Sequence, residues 1–166
     1  MEVYDQRVRA VGLNHVSIPA TDVDEAMRWW QDLFGLEPLP SPNFGFPVRW
    51  LRLGEFQLHL YTSEQRAAPA QHFGMEVDDF EEAYRRLQAA GAFDEGTRYA
   101  YLYELPGGQV QMYFRDPYGN LVEINHPDVS RLDGALFANN LKRLADEEPQ
   151  DEENLRARLF LRTSTA

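Results

Sequence analysis

GLNHVSIPATDVDEAMRWWQDLFG, residues 12–35, and QHFGMEVDDFEEAYRRLQAAGA, residues 71–92, decide how this chain reads. With His15 placed over His72, Asp22 falls on Asp79, Glu25 on Glu82 and Ala26 on Ala83 without a gap. Each segment opens as a short strand, HVSI or HFGMEV, and runs into a helix that begins at an acidic cluster. An internal repeat of this kind sets the architecture before any single element does.

Both helices have local support. Asp22 or Thr21 can cap the first, and acidic residues in its first turn complement the helix dipole. Ala26, Trp30 and Phe34 recur at i, i+4 and i+8 and mark a buried face, and Gly35 suits the C-terminal cap. In the second helix Phe80, Ala83, Tyr84 and Leu87 make the apolar stripe, and Gly91 closes it.

Strand-like stretches follow each helix. After the first come VRWLRL and FQLHLYT, joined by a turn at Gly54-Glu55; after the second come YAYLYEL, QVQMYF and NLVEINH. Pro106-Gly107-Gly108 and Asp116-Pro117-Tyr118-Gly119 supply the turns between them. The order is strand, helix, then two or three strands, written twice, with Ala67-Ala68-Pro69-Ala70 as the join. From Val129 the pattern changes. GALFANNLKRLADEE reads as helical, Pro149 breaks it, and ENLRARLFLR reads as a further helix. The apolar residues Leu132, Leu136, Phe137, Leu141 and Leu144 predict that this extension packs on the modules or on a second subunit.

Bulk properties narrow the function. The 166 residues suit one domain or two small related halves. A net charge of −11 disfavours nucleic acid and anionic membrane surfaces as partners. With no cysteine, disulfides, thiolate metal sites and a cysteine nucleophile are excluded. No apolar h-region opens the chain and no apolar run reaches membrane-spanning length, so a cytoplasmic protein acting on a small molecule is expected.

Alternation along strands gives the candidate site. His15 shares a face with Ser17, His59 with Gln57 and Tyr61, His72 with Gly74 and Glu76, and Glu123 with Leu121 and Asn125. Apolar Val16, Leu58, Leu60, Phe73, Val122 and Ile124 fill the positions between. Each strand thus offers an apolar side for helices and a polar side with one strong ligand type. His15 and His72 occupy matching places in the repeat; His59 and Glu123 lie on the last strand of each half. His126, beside Pro127, falls outside the scheme and reads as a surface residue.

In these features the chain resembles the glyoxalase/bleomycin resistance protein/dioxygenase superfamily, also called the vicinal oxygen chelate fold. The resemblance covers roughly residues 11–127, and MYFRDPYGNLVEI, residues 112–124, is its most specific piece. It implies an α+β protein of two paired βαβββ modules forming an open, cup-shaped mixed sheet. Residues 1–128 would be that domain, with modules over about 11–66 and 67–128, and residues 129–166 a helical C-terminal extension. Ligands of the family come from the first and last strand of each module, which maps onto His15, His59, His72 and Glu123. Three imidazoles and a carboxylate suit Zn, Fe(II), Ni, Co or Mn rather than Ca or Mg. Glu123 and Tyr113 are the catalytic candidates. Ser17, Trp50, Tyr101 and Arg115 are the substrate-binding candidates, and a homodimer is expected.

The resemblance implies lyase or isomerase chemistry on a small oxygenated substrate that chelates the metal. His59 stands where glyoxalase I carries a glutamate. An extradiol-type dioxygenase is the first alternative, although Glu104-Leu105-Pro106-Gly107-Gly108 lacks the acid–base histidine of that signature. A fosfomycin-resistance-like transferase or hydrolase, or a non-enzymatic drug binder walled by aromatic side chains, completes the alternatives.

Overall fold

Asp22 begins the first helix because its side chain accepts from the backbone N–H groups of Asp24 and Glu25, two donors that a helix start leaves unpaired. That helix, α1 (Val23–Phe34), ends at Gly35, whose φ of 67° is left-handed backbone that glycine adopts without strain. The computed structural model describes residues 10–162, so the outermost parts of the two expected ranges, 1–9 and 163–166, lie outside the described residues.

The repeat is a structural one. The first module is β1 (His15–Ala20), α1, β2 (Glu37–Leu39), β3 (Val48–Leu53) and β4 (Phe56–Thr62). The second is β5 (His72–Glu76), α2 (Phe80–Ala89), β6 (Leu102–Glu104), β7 (Val110–Arg115) and β8 (Leu121–His126). The sheets run β1-β4-β3-β2 and β5-β8-β7-β6, each with a parallel pairing between its first and last module strand. Two paired βαβββ modules therefore make the expected α+β cup. β1 and β5 are edge strands, and together they flank a cleft of about 370 Å³ that includes Ser17, Tyr61 and His72. Asn120, buried in the β7–β8 turn, donates to the carbonyl of Pro19 at 2.9 Å and stitches the modules there.

Three local expectations change. Glu37–Leu39 is a short edge strand that its Pro38 masks in the sequence. YAYLYEL is not one strand: the Thr97 hydroxyl accepts from the Tyr99 N–H and turns residues 98–100 into a single 3₁₀ turn, so only Leu102–Glu104 is extended. The C-terminal extension holds little helix. Leu141–Arg143 forms β9, a parallel partner for β6, and among the described residues the extension's only α-helix is α3 (Leu144–Glu147). The edge of β6 offers unpaired backbone groups, and satisfying them overrides a local apolar spacing that would suit a helix. The extension does pack as expected: Phe137 is buried against Phe80 and Tyr84, with Leu132, Leu136 and Leu141 against the same core.

The core lies behind the two sheets. Leu58, Leu60, Val122 and Ile124, the apolar alternates of the candidate ligands, are fully buried. Trp30 of α1 is also fully buried and meets Phe73 of β5 and Phe114 of β7, so the first helix serves both modules. No helix of the described residues is long and apolar enough to cross a membrane.

Candidate metal centre

Glu123 sits on β8 between β5 and β7, with 4% of its surface exposed. Burying a carboxylate is costly unless its oxygens are occupied. Here the Oε1 atom accepts from Gln111 on β7 at 2.8 Å and from Asn125 on its own strand. The Oε2 atom lies 3.1 Å from Nε2 of His72. Tyr113 stands directly opposite Glu123 in the β7–β8 register.

His72 is oriented from behind. Its Nδ1 lies 2.9 Å from the carbonyl of Ala70, which can only accept, so Nδ1 carries the proton. In the neutral ring Nε2 is then a lone pair aimed at a carboxylate oxygen. Two acceptors that close require a proton or a cation between them. A backbone carbonyl behind one nitrogen and a buried carboxylate before the other is the environment that presents an imidazole to a metal. Imidazole nitrogen and carboxylate oxygen are donor types that a divalent transition metal takes.

The other pair lies on the first sheet. His15 of β1 and His59 of β4 stack with ring centroids 4.3 Å apart, and Trp50 of β3 stacks on the far side of His59 at 4.2 Å. Nε2 of His59 is 2.8 Å from the side-chain oxygen of Gln57, and Nδ1 of His15 faces the side-chain oxygen of Asn14. Burial, with the neighbouring His15 second, pushes the His59 pKa down from 6.5 and favours the neutral imidazole that a metal needs. The four expected ligands thus occur as two pairs, one on each sheet. Among the described residues no three His, Asp or Glu side chains are gathered closely enough to hold an ion.

The remaining candidates separate. Trp50 and Ser17 lie beside the His59 pair and the inter-edge cleft respectively. Tyr101 packs under the Lys142 ammonium, 3.8 Å from its ring, beside a surface pocket formed with Gln88, Gly91 and Asn140. Arg115 is committed to the scaffold: it bonds to Asp94 at 2.7 Å and to the carbonyls of Gly119 and Pro69. Arg98 lies over the Tyr103 ring and, among the described residues, has no carboxylate within 4 Å. Tyr99 meets Tyr113 edge-on at 5.2 Å. Burial, then the Glu123 charge, holds the Tyr113 hydroxyl well above its usual pKa, so it stays protonated as a donor. His126 is half-buried against Phe80 rather than on the surface. Sequence reasoning missed Gln111, for which β-register from the Asp116–Gly119 turn was the signal.

Comparison with known proteins agrees with this layout. The family model described as Glyoxalase/Bleomycin resistance protein/Dioxygenase superfamily matches residues 12–124. "Glyoxylase I 4" of Arabidopsis thaliana is 28% identical over 127 residues, which are 70% of this chain and 71% of that protein. The lactoylglutathione lyase structure from Agrobacterium tumefaciens aligns with a TM-score of 0.56 at 22% identity, over 74% of this chain and 98% of its own. The structure titled "Oxidase ChaP-H2" aligns with a TM-score of 0.55 at 27% identity, over 72% of this chain and 97% of its own.

Proposed function

The chain belongs to the glyoxalase/bleomycin resistance protein/dioxygenase superfamily, and from that premise we propose that it is a metal-dependent enzyme acting on a small oxygenated substrate by lyase or isomerase chemistry. The carrying observation is Nε2 of His72, oriented by the Ala70 carbonyl behind Nδ1, lying 3.1 Å from the buried Glu123 carboxylate. His72 and Glu123, with His15 and His59, would hold one Zn, Fe(II), Ni, Co or Mn ion. Such an ion supplies Lewis-acid stabilisation to an oxyanion that develops on a chelating substrate.

The chain's own groups cover the proton chemistry. Glu123 is the base nearest the substrate side of the sheet, steadied through Oε1 by Gln111 and Asn125. Tyr113 keeps its proton and donates it as a hydrogen bond, either to Glu123 or to a substrate oxygen. Trp50 and Tyr99 supply aromatic walls, and Arg98 supplies positive charge for an anionic substrate group. The stacked, exposed Phe44 and Phe46 support a homodimer. Oxygen-dependent oxidation is the second reading. The 27% identity to "Oxidase ChaP-H2" favours it, and so does a set that offers two histidines and one carboxylate.

The test is metal stoichiometry. Chelator-stripped protein, reloaded with each of the five ions in turn and dialysed, is expected to retain one ion per chain. The double variant His15→Ala, His72→Ala is expected to lose it while keeping its circular dichroism. Stoichiometric binding by that variant would refute the assignment. Oxygen-sensitive iron in protein purified without air would favour the oxidative reading over the lyase one.

A further inference from the structure

The last described residues, 157–162, lie outside the region that matches the family and cross the second sheet on its Glu123 side. Gln109, which continues the β7 face that carries Gln111 and Tyr113, is a buried polar side chain. Its amide is spent wholly on the tail: Nε2 donates to the Leu159 carbonyl at 3.1 Å and Oε1 accepts from the Leu159 N–H at 2.7 Å. A side chain that pairs both backbone groups of one residue fixes that residue as a neighbouring strand would. Three residues on, the Arg162 N–H donates to Glu76 of β5 at 2.7 Å, and its guanidinium reaches Glu55 in the β3–β4 turn at 2.8 Å. The segment therefore runs from β7 past β8 and β5 to the first module.

Beneath it lies a cavity of about 360 Å³, bounded by Phe56, Gly74, Glu76, Asn125 and Leu161. Gly74 pairs with Glu123 in the β5–β8 register, and Asn125 donates to the Glu123 carboxylate. The cavity is thus the Asn125 end of the candidate metal centre. The inter-edge cleft beside His72 has no such cover from this segment.

We infer that residues 157–162 are a strap that walls off the Asn125 end of the cup and so determines specificity. A substrate then enters from the His72 side and is limited in length towards Asn125. This role in selection rests on the cup being the ligand site; the closure itself does not.

The absence of native cysteine makes a single introduced thiol a clean reporter. Asn125→Cys is placed in the full chain, in a chain ending at Ala157, and in the full chain carrying Gln109→Ala. The rate of modification by N-ethylmaleimide is measured in metal-free protein. The expected result is slow modification in the full chain and about tenfold faster modification in the other two, since a shielded thiol reacts only through local opening. Equal rates in all three would overturn the inference. Should the shortened chain lose its circular dichroism, Gln109→Ala decides in the same two ways. Should Asn125→Cys itself not fold, Met75→Cys, a buried residue lining the same cavity, replaces it. No metal or turnover enters the measurement, so its failure is distinct from failure of the proposed function.

Discussion

Side chains one strand position apart do opposite work here. Glu123 accepts from Gln111 and Asn125 and faces His72, while its neighbours Val122 and Ile124 are fully buried among apolar groups. His126, three residues on, takes neither part. Its ring packs on Phe80, and burial pushes its pKa below 6.5. The unfolded chain therefore takes up a proton before the folded one does. Its contribution to stability is full above 6.5 and is lost as pH falls from 6.5 to the lower folded value. His126→Asn keeps an oxygen able to accept the Asp128 N–H that now bonds to Nδ1. Its melting temperature is expected to fall less than that of the parent protein between about pH 7.5 and pH 5. Melting curves at matched ionic strength check this; parallel curves would remove His126 from the account.

Element by element, both long helices and the longer strands were legible because their signals are local. Asp22, rather than Thr21, caps the first helix, and the alternation in FQLHLYT and NLVEINH puts His59 and Glu123 opposite the core. Partnerships set by distant residues were not legible. The Arg115 guanidinium is held by Asp94 and Pro69, a geometry no spacing announces, so a residue of binding type turned out to serve the scaffold. The extension was misread for the same reason: Leu141–Arg143 takes its form from the β6 edge, not from its own sequence. Its packing energy follows from Phe137, which is 1% exposed between Phe80 and Tyr84. Phe137→Ala is expected to cost about 3–5 kcal/mol in urea unfolding. A loss below about 1 kcal/mol would mean that the extension is an ornament on a self-sufficient pair of modules.

At the scale of the whole molecule, two modules written by one repeat could unfold together or apart. The structure argues for together, through α1. Trp30 is fully buried, yet its partners are divided: Phe34 lies on its own helix, and Phe73 and Phe114 lie on the second sheet. Trp29 also meets Phe114, and the Tyr118 hydroxyl donates to Glu25 near the start of the same helix at 2.6 Å. A helix shared in this way is core to both sheets, so neither module can keep its apolar face covered once α1 leaves. Trp30→Ala is therefore expected to lower global stability by about 3–5 kcal/mol. The decisive measurement is native-state hydrogen exchange at buried interior-strand amides of each sheet, Leu58 and Leu60 in the first and Val122 and Ile124 in the second. If both modules open in one cooperative event, the substitution lowers protection at all four by the same free energy. Loss confined to Leu58 and Leu60, with Val122 and Ile124 unchanged, would show that α1 belongs to the first module alone and that the second stands without it.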